Sequence, residues 1–449
     1  MKVIPMVSRR AYRRVSVNEI DREQLLELAK EHGNPGTVLG LDIARNEIVA
    51  CLRWGQDHFE RPWKIINPKE TGVLVELCEL LKSHCTGFRI GLESTGTYGD
   101  VIRYALSESG ISVQRVSGKA VSDYHEIFDG VPSQHDGKDA AMVAELVAHG
   151  KGTLWPFATL SEHEQILRHQ VFRIDAFRKQ QTQWLGRIEA LTARHWPELT
   201  SVLKLTSVTL LNLLATYGSP AKAIADPKLA KTLRLWGKKY LKEEKIAALV
   251  LSARTTKGLP MNASEVSWMQ ELAAESLRCH REQLACEKII KEQVASDPVM
   301  QRYSDAVGAA TLAVLWSEVG DPVAYSSAGA YLKAFGLNLK ERSSGKRLGQ
   351  LAISKRGPAM SRRWLFFWAL RAVQRDELKG WYEAFIQVGN GSSSGEHRKM
   401  KGLTAMMRRL CKSLWHARVH NKLFDYSLVI SGMPPRGRRR RRKAAKKAA

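Results

Sequence analysis

Negative charge is scarce in this chain. Its 449 residues carry 45 Asp and Glu against 70 Lys and Arg, a net charge of +25. That balance argues against acidic partners and for a polyanion. Long apolar runs are missing as well. None approaches the length of a spanning helix, so no membrane insertion is expected even though an anionic surface attracts such charge. The cationic N-terminus MKVIPMVSRRAYRRVS is not followed by the apolar stretch of a signal peptide, and a cytoplasmic, nucleoid-associated location is expected. Cysteine is sparse and scattered: Cys51, Cys78, Cys85, Cys279, Cys286 and Cys411 form no C-x-x-C pair and meet no His at zinc spacing. Reduced structural thiols follow, rather than a zinc site or a disulfide framework. There is no internal repeat. Glycine-rich phosphate loops are also lacking, which argues against an actin-like kinase.

What is present suffices for real cores: 44% hydrophobic residues and 12 Trp. At about 150 residues per domain the length suggests roughly three domains. Residues 1–36 read as a basic arm and then a helix with Ile20, Leu25, Leu26 and Leu28 as its apolar stripe. Asn18 is a candidate cap, and Gly33-Asn34-Pro35-Gly36 stops the helix. Residues 37–66 alternate as two or three strands with a first turn at Arg45-Asn46. A helix over 68–85, strand 88–93, helix 98–109, strand 111–116 and a helix from Asp136 follow. An opening hairpin followed by βαβ units is the pattern of a mixed sheet flanked by helices. Residues 162–195 form one long helix by the heptad recurrence of Leu167, Ile174, Gln181 and Ile188. A second long helix over 264–295 has Val266, Met269, Leu272, Leu277 and Leu284 along one side. With a helical insert between them the pair suggests an antiparallel coiled coil, and an ordinary bundle fits equally.

The chemistry starts with Asp42, set inside the apolar run VLGLDIARNEIVACL. An ionised carboxylate there needs a partner or a metal ion. Glu93 closes the apolar strand FRIGLE, and Asp136 and Asp139 lie three apart on one helix face in QHDGKDA. Carboxylates from separate elements suit Mg²⁺, and a pair of such ions stabilises both the attacking and the leaving oxygen of a phosphodiester transfer. Taken singly, Asp136 and Asp139 read more simply as an N-cap and a first-turn acid, and Glu93 as a cap of the turn before Gly96. The conjunction is what carries weight.

Lys340 to Arg363 holds eight basic residues against one acid, Glu341. Ser343-Ser344-Gly345 lies within it, flanked by Arg342, Lys346 and Arg347. Ser354-Lys355-Arg356-Gly357-Pro358 leads into the next helix. A serine among such cations is placed to attack a phosphate, although Ser and Gly also favour plain solvated turns. Ala306-Val307-Gly308 resembles half of a helix-hairpin-helix phosphate grip, weakened by Ala306 in the place of a glycine. Trp364 and Trp368 read as core. Arg436, Arg438 to Arg442, Lys443, Lys446 and Lys447 supply nine of the +25 charges, leaving +16 on residues 1–435. That tail, with Arg438, Arg439 and Arg440 at its centre, reads as a sequence-blind nucleic-acid grip or a solubilising extension.

Together, GLDIARNEIVACL, GLESTGTY, HDGKDA and GLNLKERSSGKRLGQLAISKRGP resemble the DEDD-type insertion-sequence transposases of the IS-one-ten family, from about Thr37 to Leu428. The resemblance implies a ribonuclease-H-like (RuvC-like) mixed α/β sheet over 37–158 with Asp42, Glu93, Asp136 and Asp139 as its acids. It also implies a coiled-coil segment over 159–298, and a mainly helical C-terminal transposase domain over 299–430 with Ser344 as nucleophile and Ser343 beside it. Residues 1–36 are an extension relative to that pattern, and 431–449 a disordered basic tail. The implied partners are donor and target DNA, a structured noncoding guide RNA, and further copies of the chain as a dimer or tetramer. The expected activity is therefore strand cleavage and rejoining with two Mg²⁺ ions. The alternatives are a hydrolytic nuclease of the junction-resolvase type and a nucleic-acid-binding protein with a decayed site.

Overall fold

In the N-terminal part, apolar residues alternate strictly through VLGLDI, so one strand can serve two faces of a sheet. The computed structural model bears this out. It describes residues 13–55, 58–93, 96–130, 135–157, 160–344, 347–387 and 395–430. The chain divides into two units, Met1–Thr159 and Leu160–Ala449. The first contains β1 (Val15–Ser16), α1 (Arg22–His32), β2 (Val38–Ile43), β3 (Glu47–Gly55), β4 (His58–Phe59), β5 (Trp63–Ile66) and α2 (Thr71–His84). It continues with β6 (Arg89–Glu93), α3 (Asp100–Glu108), β7 (Ser112–Val116), α4 (Gly118–Asp129), α5 (Asp136–Ala148) and β8 (Thr153–Leu154).

The sheet runs β1-β5-β3-β2-β6-β7-β8, with β4 paired to β3. β2, β3 and β5 form an antiparallel meander, β6 and β7 add parallel to β2, and β8 closes antiparallel. Leu39, Leu41, Ile43, Ile90 and Leu92 pack into one core with residues of α1, α2 and α3. Val38, Val49 and Cys51 face the other way, into a core with Ala140, Val143, Ala144 and Val147 of α5. The period of two therefore sends Gly40 and Asp42, and likewise Gly91 and Glu93, to the α5 side.

Gly40 and Gly91 are register partners in the parallel β2–β6 pair. A Cβ on Gly40 would fall 1.9 Å from the Ala140 carbonyl oxygen, and one on Gly91 would fall 2.6 Å from Val147 Cγ2. The absent side chains let α5 lie directly on the strands. Arg53 of β3 also reaches α5 in a buried ion pair with Glu145. Removing one partner of such a pair costs about 3–5 kcal/mol.

The second unit is built on two 34-residue helices, α6 (Glu162–His195) and α12 (Ala263–Ser296). Capping boxes start both, Ser161 with Glu164 and Asn262 with Glu265. They run antiparallel, as the links His163–Gln293, Arg173–Glu282, Gln181–Ser276 and His195–Glu265 require. Between them lie α7 (Leu199–Val202), α8 (Val208–Tyr217), α9 (Pro220–Ala225), α10 (Leu229–Gly237) and α11 (Glu243–Thr255). Beyond them come α13 (Pro298–Val307), α14 (Ala309–Val319), α15 (Ala328–Ala334), the hairpin β9 (Leu339–Ser344) and β10 (Arg347–Ile353), α16 (Ala359–Ala372), α17 (Asp376–Gln387) and α18 (Gly395–Val419). One core joins Leu167, Val171 and Ile174 of α6 and Ile290 of α12 to Trp364 and Trp368 of α16 and Met406, Leu410 and Leu414 of α18. Among the described residues no helix is long and apolar enough to cross a membrane.

Several local expectations are corrected. Asp21, not Asn18, caps α1, accepting from the amides of Glu23 and Gln24. Asn18 instead lies in a short 3-10 turn and donates to Glu70. Residues 37–66 hold four strands, β4 being a two-residue edge piece too short to show a period. The α12 seam does not pass through Leu284, which is 52% exposed. It follows Met269, Leu272, Ser276, Cys279, Gln283, Cys286 and Ile290, all buried. This is a regular three-four spacing whose middle is small or polar and therefore invisible to an apolar count. Gln283 donates to Gln181 Oε1 at 2.9 Å and accepts from Arg178 Nε at 3.4 Å, so its buried amide is paired.

Candidate metal centre

The glycine platform fixes where α5 begins, and its first turn carries Asp136 and Asp139. His135, not Asp136, is the N-cap, its Nδ1 accepting from the Lys138 amide at 3.2 Å. Lys138 is fully buried and donates to Asp129 Oδ1 at 2.6 Å, pinning the start of α5 to the end of α4. Both acids thus face the sheet where Asp42 emerges. One carboxylate oxygen each from Asp42, Asp136 and Asp139 lies within 4.8 Å of the others.

Glu93 stands outside that triplet but inside its field. It contributes to raising the Asp42 carboxyl. Its side chain passes over α4, where a Cβ on Gly118 would fall 2.0 Å from Glu93 Oε1. Glycine at the first position of α4 leaves that acid its room.

Crowding and burial disfavour the charged forms. Asp42 is pushed up to about 6, by desolvation first and then by Asp139, Asp136 and Glu93, with Arg14 acting against them. Glu93 is raised by desolvation and by Asp139. Asp139 is raised by desolvation, a shift opposed by His125 and added to by Asp136. Asp139 Oδ1 is buried and makes no hydrogen bond among the described residues, although His125 Nε2 approaches it at 3.2 Å. A buried carboxylate oxygen that has only the His125 ring near it and no hydrogen bond among the described residues, beside two further hard oxygens, fits a divalent cation of the Mg²⁺ or Mn²⁺ kind.

Two residues at this centre escaped sequence reading. Arg14 donates to Asp136 Oδ2 at 2.8 Å and also pairs with Glu47. His125 sits on α4, a helix not anticipated although Ala120, Val121, Tyr124 and Phe128 form its apolar stripe. A usable signal did exist for the platform: the same spacing, Gly-x-Asp in β2 and Gly-x-Glu in β6, marks two strands with a small residue and an acid on one face.

In the second unit Ser344 ends β9 and is the register partner of Arg347, the first residue of β10. Arg342 and Ser343 precede it on the same strand. Gly345 and Lys346 lie outside the described residues, as do the side chains of 342–350. So do Arg438, Arg439 and Arg440. The loop after β10 is well supported. The Lys355 amide donates to the Gly336 carbonyl at 2.9 Å, and Arg362 Nη1 to the Gly357 carbonyl at 2.6 Å. Lys355 and Arg356 are both exposed. Trp364 and Trp368 are buried, as core residues should be.

Comparison with known families covers both units. A transposase model of the DEDD IS110 type matches residues 39–197, and the model Transposase IS116/IS110/IS902 family matches residues 304–383. Together they span a little over half of the chain. No curated protein matched. The class is thus that of the insertion-sequence transposases, enzymes that cut and rejoin DNA. Within it, the chain belongs to the IS110 family of DEDD transposases.

Proposed function

We propose that the chain moves its own insertion sequence by two-metal, serine-dependent strand exchange guided by an element-encoded noncoding RNA. Asp42, Asp136 and Asp139, with Glu93 beside them, would hold two Mg²⁺ ions in a RuvC-like domain. Ions so held would neutralise charge at the attacked phosphate and at the leaving oxygen. Ser344 is the nucleophile: its Oγ bonds to phosphorus, its proton passes to a carboxylate acting as general base, and the displaced sugar oxygen leaves with the electron pair. Arg342, Lys346 and Arg347 flank the serine, and Lys355 and Arg356 extend the same basic run. Such cations stabilise the charge that develops on the phosphate. A phosphoserine ester preserves the bond energy for resealing, which a water nucleophile does not.

The long α6–α12 pair is read as an antiparallel coiled coil serving a dimer or tetramer, with functional divisions near residues 36, 158, 298 and 430. Donor and target DNA, the guide RNA and the tail around Arg438, Arg439 and Arg440 place the enzyme at the nucleoid. One observation carries the reading: in a +25 chain of this family, three acids from two elements meet within 4.8 Å.

The test is to incubate the protein with element-end DNA and Mg²⁺, stop the reaction in denaturant and look for protein bound to DNA. Wild type should form the adduct, Ser344→Ala should not, and Asp42→Asn should neither cut nor couple. An adduct retained by Ser344→Ala but lost in Ser343→Ala moves the role to Ser343. Cutting without any adduct makes the chain a hydrolytic nuclease.

A further inference from the structure

The N-terminal arm precedes the family match, which begins at residue 39, yet it reaches the acidic centre. Its course is fixed rather than incidental. Val15 and Ser16 pair in parallel with Trp63 and Lys64 of β5, the Val15 amide donates to the Pro62 carbonyl at 2.9 Å, and Val17 is buried in the core. Arg14, the residue just before this anchor, is thereby delivered to the mouth of the site. One arm of its guanidinium holds Glu47, itself 3.2 Å from Lys64, and the other holds Asp136 Oδ2 at 2.8 Å. Asp136 is 51% exposed, so its carboxylate lies open to exchange with an ion from solvent.

We propose that Arg14 is the resident counter-cation of the acidic centre and must release Asp136 when a divalent ion binds, so that the N-terminal arm sets how readily the site loads. The inference rests on the metal-site reading above. A guanidinium and a divalent cation on one carboxylate repel each other across a few ångströms, and that repulsion weakens ion binding. Glu47 gives the released guanidinium a place to stay, because it accepts Arg14 independently of Asp136. Arg14 is a positioning residue in this account, not a catalytic one.

Mn²⁺ binding to the full-length protein, followed by the paramagnetic resonance of free Mn²⁺, tests it without any DNA reaction. Arg14→Gln should bind the ion roughly tenfold more tightly than wild type, a shift of about 1.4 kcal/mol. The gain should shrink with added salt, because the group is partly exposed. Arg14→Lys keeps the charge and should stay near wild type, which separates charge from packing. Equal affinities, or weaker binding by Arg14→Gln, would overturn the proposal while leaving the metal site standing. Absence of Mn²⁺ binding by wild type and variant alike would remove the metal-site reading and the proposal together.

Discussion

Replacing Asp42 by Asn should make the metal-free protein more stable at neutral pH. Asn fills the same volume in β2 but carries no charge toward Asp136, Asp139 and Glu93. The Asp42 carboxyl is pushed from 3.8 to about 6 in the folded state, first by burial and then by those three acids. A raised carboxyl pKa means the folded chain holds its proton more tightly than the unfolded chain, so ionisation opposes folding. The penalty is nil below about 4, grows between 4 and 6, and is complete above 6. Its ceiling is about 3 kcal/mol, and partial exposure of the site screens this to about 1–2 kcal/mol. Urea unfolding of wild type and Asp42→Asn, with chelator present, from pH 4 to 8 reads it directly. The variant should gain about 1–2 kcal/mol at pH 7.5 and converge with wild type near pH 4. Adding Mn²⁺ at neutral pH should stabilise wild type more than the variant. A variant less stable than wild type at pH 7.5, or a difference independent of pH, refutes the reasoning.

Gly40→Ala would drive a methyl group into the backbone of α5, 1.9 Å from the Ala140 carbonyl oxygen, where no flexible side chain can yield. It should cost about 3 kcal/mol or more, lower the melting temperature by roughly 10 °C and weaken Mn²⁺ binding, whereas Gly72→Ala, in open space, should do neither. Deleting residues 436–449 removes nine positive charges. The log–log salt dependence of duplex DNA binding should flatten by about 0.9 for each phosphate that the tail neutralises. Site choice should be unchanged, and an unaltered slope would mean that the tail touches no phosphate.

Much of the acidic cluster was legible because its signal is local. A carboxylate among apolar residues stands out in any strand, and Asp136 and Asp139 share a helix face by spacing alone. The sequence pattern also places Asp42 and Glu93 on one side of the sheet once β2 and β6 are neighbours. What it does not disclose is how α5 comes close enough. That depends on Gly40 meeting Gly91 across two strands, a register fact settled by tertiary pairing. Arg14 was illegible for a similar reason: it meets Asp136 across 122 residues, and only the short β1–β5 pairing brings it there. The α12 seam was half-read. Its hydrophobic ends were visible, but Ser276, Cys279 and Gln283 are buried by their position on the helix rather than by their polarity. Ser344 is picked out by its basic surroundings and the family resemblance alone, and its backbone ends β9.

The central question is whether Asp42, Asp136 and Asp139 bind metal together. Crystals of the full-length protein soaked in Mn²⁺ and measured at the manganese edge give the most direct answer. The expected result is anomalous density within about 2.0–2.3 Å of carboxylate oxygens from Asp42, Asp136 and Asp139, lost in Asp42→Asn. A protein that cleaves element-end DNA while its Mn²⁺ sits elsewhere, or nowhere, would contradict it.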